Sequence, residues 1–214
     1  MKSLTFETVQ DLAKTYGNAF YLLDSTQFEK NYIDLSNEFR AIYPHFNIAY
    51  SYKTNYTPKL CKLINQFGGY AEVVSEMEME VALRVGVHPT KIIWNGPIKN
   101  AKKVSELLLT GGTVNIDSVY EIDIIRSLAE SHPMHTLNVG IRCNFDVGDG
   151  VVSRFGFDFE HDDFSKVLSF VKETKNVHLI NIQCHFAKRN VEYWSDRAKG
   201  MVKIADHVVS VLGY

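Results

Sequence analysis

Three cysteines in 214 residues, Cys61, Cys143 and Cys184, are too few and too far apart to brace the chain. Their odd number and lack of close pairing exclude a disulfide framework or a structural zinc centre and fit reduced thiols. No apolar run approaches the roughly 20 residues needed to cross a bilayer. The opening segment MKSLTFETVQDLAKTYG carries acidic residues and no apolar stretch, so no secretory leader is expected. Neither sign of charge dominates: 23 Lys and Arg stand against 25 Asp and Glu, a formal net charge of -2. That balance offers no basic stripe for nucleic acid and no polybasic run for an anionic membrane. The local KNAKK run (Lys99–Lys103) is broken at helical spacing and reads as a solvated helix face. His132, His135 and His161 lie in loop-like segments without ligand partners at suitable spacing, so no metal site is expected. Repeats, low-complexity stretches and linkers are also missing. What is left is a cytoplasmic chain, read as one domain over 1–214, with 45% hydrophobic residues to build a single core.

What the sequence does contain is an alternation of short β-rich runs with amphipathic stretches. Strands are expected at Phe46–Tyr52, Tyr70–Val74, Ile92–Asn95, Val114–Asp117, Leu137–Cys143 and Leu179–Phe186. Helices are expected over 26–41, 57–67, 75–85, 99–109, 119–128 and 164–175, and again from Trp194 to Leu212. The first places Phe28, Tyr32, Leu35 and Phe39 on one face, and the second does the same with Leu60, Leu63, Ile64 and Phe67. Gly68-Gly69, Gly86, Gly111-Gly112, Ser75 and Ser118 punctuate the joints. Strand, helix, strand at this spacing means parallel β.

The strand faces choose the architecture. Leu137, Val139, Ile141 and Cys143 oppose Asn138, Gly140, Arg142 and Asn144; Ile180, Ile182, Cys184 and Phe186 oppose Asn181, Gln183 and His185. Ile48, Tyr50 and Tyr52 oppose Asn47, Ala49, Ser51 and Lys53. A doubly wound sheet, covered by helices on both faces, would be apolar throughout. One greasy and one small or polar side fits a (β/α)8 barrel, helices outside and functional groups at the strands' C-terminal ends. Those ends supply Lys53, Glu72, Asn95, Asp117, Arg142 and His185. A lysine partly desolvated beside Arg142 would become nucleophilic near neutral pH, while Glu72 would oppose that shift. With the flat ring of His185 across the lumen, the set suits covalent capture of a planar aldehyde cofactor. Cys184 and His185 are no catalytic dyad, because adjacent strand residues face opposite sides.

The same segments resemble a known family. AYSYKTN (Ala49–Asn55) is similar to the YAxKAN motif of the ornithine/diaminopimelate/arginine decarboxylases, pyridoxal-5′-phosphate (PLP) enzymes of the alanine-racemase-like fold. GGYAEVVSEMEMEVALRVGV (Gly68–Val87) resembles G-x-D-V-x-S-x-x-E, with Glu72 where that family usually has Asp and with Ser75 and Glu78 matching. KIIWNGPIKN (Lys91–Asn100) is similar to I-x-x-x-G-P-x-K, and VNIDSVYEID (Val114–Asp123) to a strand ending in D-S followed by x-x-E. GIRCN (Gly140–Asn144) and SRFGF (Ser153–Phe157) resemble R-x-N and S-[KR]-F-G. IQCHFAKRN (Ile182–Asn190) stands where the family has G-x-x-x-H-x-G-S. The likeness runs in family order over residues 19–190.

The resemblance implies a Schiff base of PLP on Lys53, His185 stacked on the pyridine ring, and Glu72 in a polar network beside it. It places Arg142 and Arg154 at the flank, with Asn95 and Asp117 as further candidates on the substrate or loop side. Two departures accompany it. Phe186-Ala187-Lys188 replaces the small Gly and phosphate-binding Ser, so that Lys188 would have to serve phosphate as a point charge. About six barrel strands are present, so the last two strands and the family's β-domain are expected to lie outside 1–214. The implied function is decarboxylation of a diaminopimelate-like, ornithine-like or related amino acid, by a homodimer or by a chain that a partner completes. The alternatives are a PLP-dependent racemase and an inactive barrel serving as a regulatory or assembly partner.

Overall fold

The computed structural model describes residues 4–151, 153–188 and 190–214, so Arg189 of the IQCHFAKRN segment falls outside it. The chain divides into two compact units, up to Ile48 and from Ala49 onward. The first contains α1 (Phe6–Tyr16), which the sequence reading did not anticipate, and α2 (Ser25–Arg40). Thr5 and Asp24 start these helices by accepting from the backbone N–H of Thr8 and Gln27. Tyr32 and Ser36 are the buried residues of α2. Leu35 and Phe39, expected on the covered face, stay about half exposed, and Phe39 instead stacks on Phe46 at 4.4 Å.

The second unit is a parallel sheet with helices between its strands. Its elements are β1 (Ala49–Ser51), α3 (Pro58–Gln66), β2 (Tyr70–Val73), α4 (Glu76–Arg84), β3 (Ile92–Trp94), α5 (Ala101–Leu109), β4 (Thr113–Ile116) and α6 (Tyr120–Ser131). There follow β5 (Leu137–Asn144), β6 (Phe157–Asp158), α7 (Asp162–Glu173), β7 (Val177–Cys184) and α8 (Trp194–Leu212). Every described pairing is parallel, in the order β1-β2-β3-β4-β5-β7. The two-residue β6 was not legible in the sequence. It pairs with Cys143 and Asn144, and β7 already takes the other edge of Cys143, so β6 lies beyond the end of β4.

Local chemistry sets the joints. Pro58 opens α3 at a position where no N–H is needed. Gly86 ends the turn after α4 at φ +90°, a conformation that a side chain would strain. Asn100 caps α5 by accepting from Lys102 and Lys103 N–H at 3.0 and 3.2 Å. The helix therefore begins at Ala101 and leaves Lys99 in the preceding turn.

The strand faces behave as alternation requires. Leu137, Val139, Ile141 and Cys143 are buried in one apolar core with Trp94, Ile116, Phe164 and Phe170. Each such large apolar side chain contributes about 1.5–3 kcal/mol by leaving water. The opposite face carries Asn115, Gly140 and Asn181 in register across β4, β5 and β7. One expectation fails in β7. The register slips between Val139 and Gly140, so that Leu179 pairs with Val139 and Asn181 with Gly140. The additional residue, Ile180, is 55% exposed instead of lying on the greasy face. This bulge restores the alternation, so Ile182 and Cys184 face the core while Gln183 stands beside Arg142. Among the described residues, no helix is long and apolar enough to cross a membrane.

Candidate functional site

The polar face carries two hydrogen-bonded groups of side chains at or near the C-terminal ends of its strands. Asn95, directly after β3, donates from Nδ2 to Glu72 Oε1 at 2.9 Å. Asn115 of β4 donates to Asn95 Oδ1, extending the chain across three strands. Asp117, just past β4, accepts from Arg142 Nη1 at 2.8 Å, and the two side chains are only 5% and 9% exposed. The Arg142 guanidinium also lies 4.9 Å from the centre of the Phe155 ring. Arg154 approaches the same ring at 5.0 Å, so the SRFGF segment joins the two arginines through one aromatic side chain. Gly156 permits this approach: its φ is +77°, and a Cβ would come within 2.7 Å of the Arg142 carbonyl oxygen.

Glu72, Asn95, Asp117 and Arg142 are thus brought together as the strand register requires. The remaining sequence candidates sit at the rim. Lys53 follows β1 in a one-turn 3-10 helix (Tyr52–Thr54) and is exposed, whereas its neighbour Tyr52 is fully buried. The expected burial of this lysine is not found: β1 stops at Ser51 and Lys53 is exposed in the turn that follows. His185 follows β7 on the Arg142–Gln183 face and is exposed. Lys188 Nζ donates to the backbone carbonyl of Asp149, and Arg197 Nη2 donates to the Lys188 carbonyl at 2.7 Å. Arg197 lies over Phe186 at 4.9 Å and 3.9 Å from Asp149. Asp149, Phe186, Lys188 and Arg197 are therefore laced together.

Four functional candidates were missed. Asn115 looked like an ordinary strand residue. Asp149 and Arg197 carried no pattern. Lys99 was read as part of a solvated face, yet its side chain is fully buried and pairs with Glu121 at 2.6 Å. Glu121 Oε2 accepts from the backbone N–H of Asp117 at 2.6 Å and of Ser118 at 3.1 Å. Burial pushes Glu121 above the usual carboxylate range and Lys99 below the usual amine range, each partly offset by the other's charge. The thiols move away from reactivity. Burial raises Cys143 to about 12 and Cys184 upward, the latter partly offset by Arg197 and Arg142.

The arrangement matches known proteins. Residues 27–209 match the family model described as the pyridoxal-dependent decarboxylase, pyridoxal binding domain. The chain belongs to this family. It is 26% identical over 196 residues to the diaminopimelate decarboxylase of Aquifex aeolicus, covering 85% of this chain and 44% of that protein. With the diaminopimelate decarboxylase of Bacteroides thetaiotaomicron it shares 29% over 189 residues, 84% of this chain and 48% of the relative. The chain spans about half the length of the curated relatives it matches. The diaminopimelate decarboxylase of Methanocaldococcus jannaschii, solved with L-lysine, superposes with a TM-score of 0.83 at 23% identity, over 95% of this chain and 50% of that one. The fold is therefore the decarboxylase barrel, present here as an incomplete set of staves.

The family implies pyridoxal phosphate, and the polar face fits it. Ser51 Oγ, Asn115 Oδ1 and Gln183 Oε1 are buried without a hydrogen-bond partner, and such groups ordinarily find one. Gly140 keeps the floor low, since a Cβ would collide with Asn115 Oδ1 and Asn181 Oδ1. An amine at the rim, a held guanidinium and an imidazole on the same face are the donor set that a planar, anionic aldehyde needs.

Proposed function

We propose that this chain is the pyridoxal-binding portion of an amino-acid decarboxylase acting on a diaminopimelate-like, ornithine-like or related substrate. One observation carries the reading: the Asp117–Arg142 pair and the Glu72–Asn95–Asn115 chain both stand at the C-terminal ends of neighbouring parallel strands, where β1 and β7 also end, just before Lys53 and His185. Lys53 would hold the cofactor covalently through Nζ, and the same amine would be the group placed to move a proton at the substrate α-carbon. His185 would offer its flat ring to the cofactor, and Arg142, fixed by Asp117, would supply positive charge there. Glu72, oriented by Asn95, is the acceptor nearest that chemistry, while Asn95 and Asp117 act by holding their neighbours. Arg154 borders the substrate side and Lys188 offers a cation to phosphate. When bound, pyridoxal phosphate supplies the electron sink for the carbanion. Two related solved enzymes hold L-lysine, in keeping with a small amino-acid ligand.

The reading extends to 1–214 as one cofactor-binding portion of a cytoplasmic protein, a homodimer at full length or completed by a partner chain. The outer edge of β7 takes that completion. It has no strand partner among the described residues, and Val177, Leu179, Ile180, Leu212 and Tyr214 line a groove of about 570 Å³ beside it. The test is borohydride reduction after addition of pyridoxal phosphate, followed by peptide mapping. A pyridoxyl label on Lys53, lost in Lys53→Ala, is expected; a label elsewhere sinks the assignment.

A second reading, an inactive barrel that assists a partner, draws on Lys188. Its amine is already engaged by the Asp149 carbonyl in the position where the family has serine. That reading requires no visible cofactor absorption in the full-length protein.

A further inference from the structure

Lys99 and Glu121 form the most deeply buried ion pair described in the chain, with side chains 0% and 2% exposed. Burying such a pair is weak evidence for stability, because desolvation cancels much of the attraction. What distinguishes this one is where its second oxygen ends. Glu121 Oε2 grips the N–H groups of Asp117 and Ser118, the residues that finish β4. Asp117 is itself a carboxylate, and it holds Arg142 at 2.8 Å. Two carboxylates on one joint repel unless each has its own cation, and here each does: Lys99 for Glu121, Arg142 for Asp117. Lys99 feels all three of the others through space. Without Lys99, Glu121 loses the cation that holds it in place against the Asp117 and Ser118 N–H groups, and the strand end that presents the Asp117 carboxylate to Arg142 loses its clamp.

We propose that Lys99 and Glu121 are a positioning pair for Arg142, acting through Asp117 to fix the guanidinium at the cofactor end of the barrel. The inference rests on the functional reading above, in which Arg142 lies beside the cofactor. It assigns a role to two side chains that contact neither cofactor nor substrate.

The test is a double-mutant cycle on the full-length protein, read as the equilibrium dissociation constant of pyridoxal phosphate by absorption titration. The working variant is Lys99→Met with Glu121→Ala, which removes the pair whole and leaves no orphan charge. In the wild-type background it should weaken cofactor binding about tenfold, the scale on which partners behind a ligand-holding group act. In an Arg142→Gln background the same change should have no further effect. A merely structural role would weaken binding by the same factor in both backgrounds, and that result overturns the proposal, as does unchanged binding in the first. If the variant does not fold, Glu121→Asp is read in the same cycle with the same criterion. Failure of the functional reading looks different: wild-type protein would then give no pyridoxyl label on Lys53 at all.

Discussion

Two strand-to-helix joints in this molecule use the same device and load it differently. After β2, Ser75 Oγ accepts from Glu78 N–H at 3.3 Å while Glu78 Oε2 accepts from Val74 N–H at 2.9 Å. After β4, Glu121 Oε2 accepts from Asp117 and Ser118 N–H, its other oxygen takes Lys99, and Ser118 Oγ has no partner of ordinary geometry. Both are Ser-x-x-Glu turns, and both glutamates are buried. At the first joint the serine caps and the glutamate merely completes the turn. At the second the serine is idle and an imported lysine holds the glutamate. The difference follows from what each joint must present. The strand-end carboxylate of β2, Glu72, is steadied sideways by Asn95, whereas Asp117 sits on the very backbone that Glu121 grips. A second negative charge there required a cation brought from another turn.

Removing that cation breaks the comparison most sharply. Lys99→Met leaves Glu121 buried and unpaired, and half-broken buried pairs cost about 3–5 kcal/mol. Glu78→Gln keeps a carbonyl to accept from Val74 and should cost about 1 kcal/mol, the difference between a charge-assisted and a neutral hydrogen bond. Urea denaturation of the two variants, read by midpoint at constant slope, decides it. Equal losses would mean that the lysine is incidental to the second joint.

The pH axis sharpens the same contrast. Burial holds Glu121 above its ordinary value in the folded chain, with Lys99 pulling it back down. A carboxyl whose folded pKa exceeds its unfolded one contributes most below the unfolded value, and that contribution is lost as pH rises through the folded value. Lys99→Met removes the pull-down, so the folded pKa climbs and neutral pH becomes the costly condition. The stability gap between Lys99→Met and wild type should therefore narrow by about 1 kcal/mol or more between pH 7 and pH 5. A gap that widens on acidification would show that Glu121 is not the group left unpaired.

Much of this was legible in the sequence. Glu72, Asn95, Asp117 and Arg142 stood at strand ends because period-2 alternation assigns a face to each residue, and the structure joins them in pairs. Lys99 was not legible. The nearby Lys102 and Lys103 are partly or fully exposed, and its partner lies 22 residues away, beyond a helix and a strand. Composition around a residue reports the local face; it carries no information about a residue that lies just before the helix, whose cap is Asn100, and pairs with a distant carboxylate. Ile180 failed for a related reason, since a bulge inserts a residue without any mark in the alternation. Lys53 was found by motif, but its exposure depends on where β1 stops, and strand ends are set by the register of neighbours.

The smallest expected effect isolates the serines. Ser75 Oγ satisfies a helix N-terminal N–H that nothing else reaches, so Ser75→Ala should cost about 1 kcal/mol, the usual loss of a cap. Ser118→Ala removes a buried hydroxyl that caps no backbone N–H and has no hydrogen bond of ordinary geometry. Deleting such a group relieves its desolvation, so the change should be neutral within about 0.5 kcal/mol, or slightly stabilising. Thermal unfolding of the two alanine variants side by side resolves a difference of this size. If Ser118→Ala is as damaging as Ser75→Ala, the second joint also depends on its serine, and the claim that Lys99 and Glu121 have taken over its task fails.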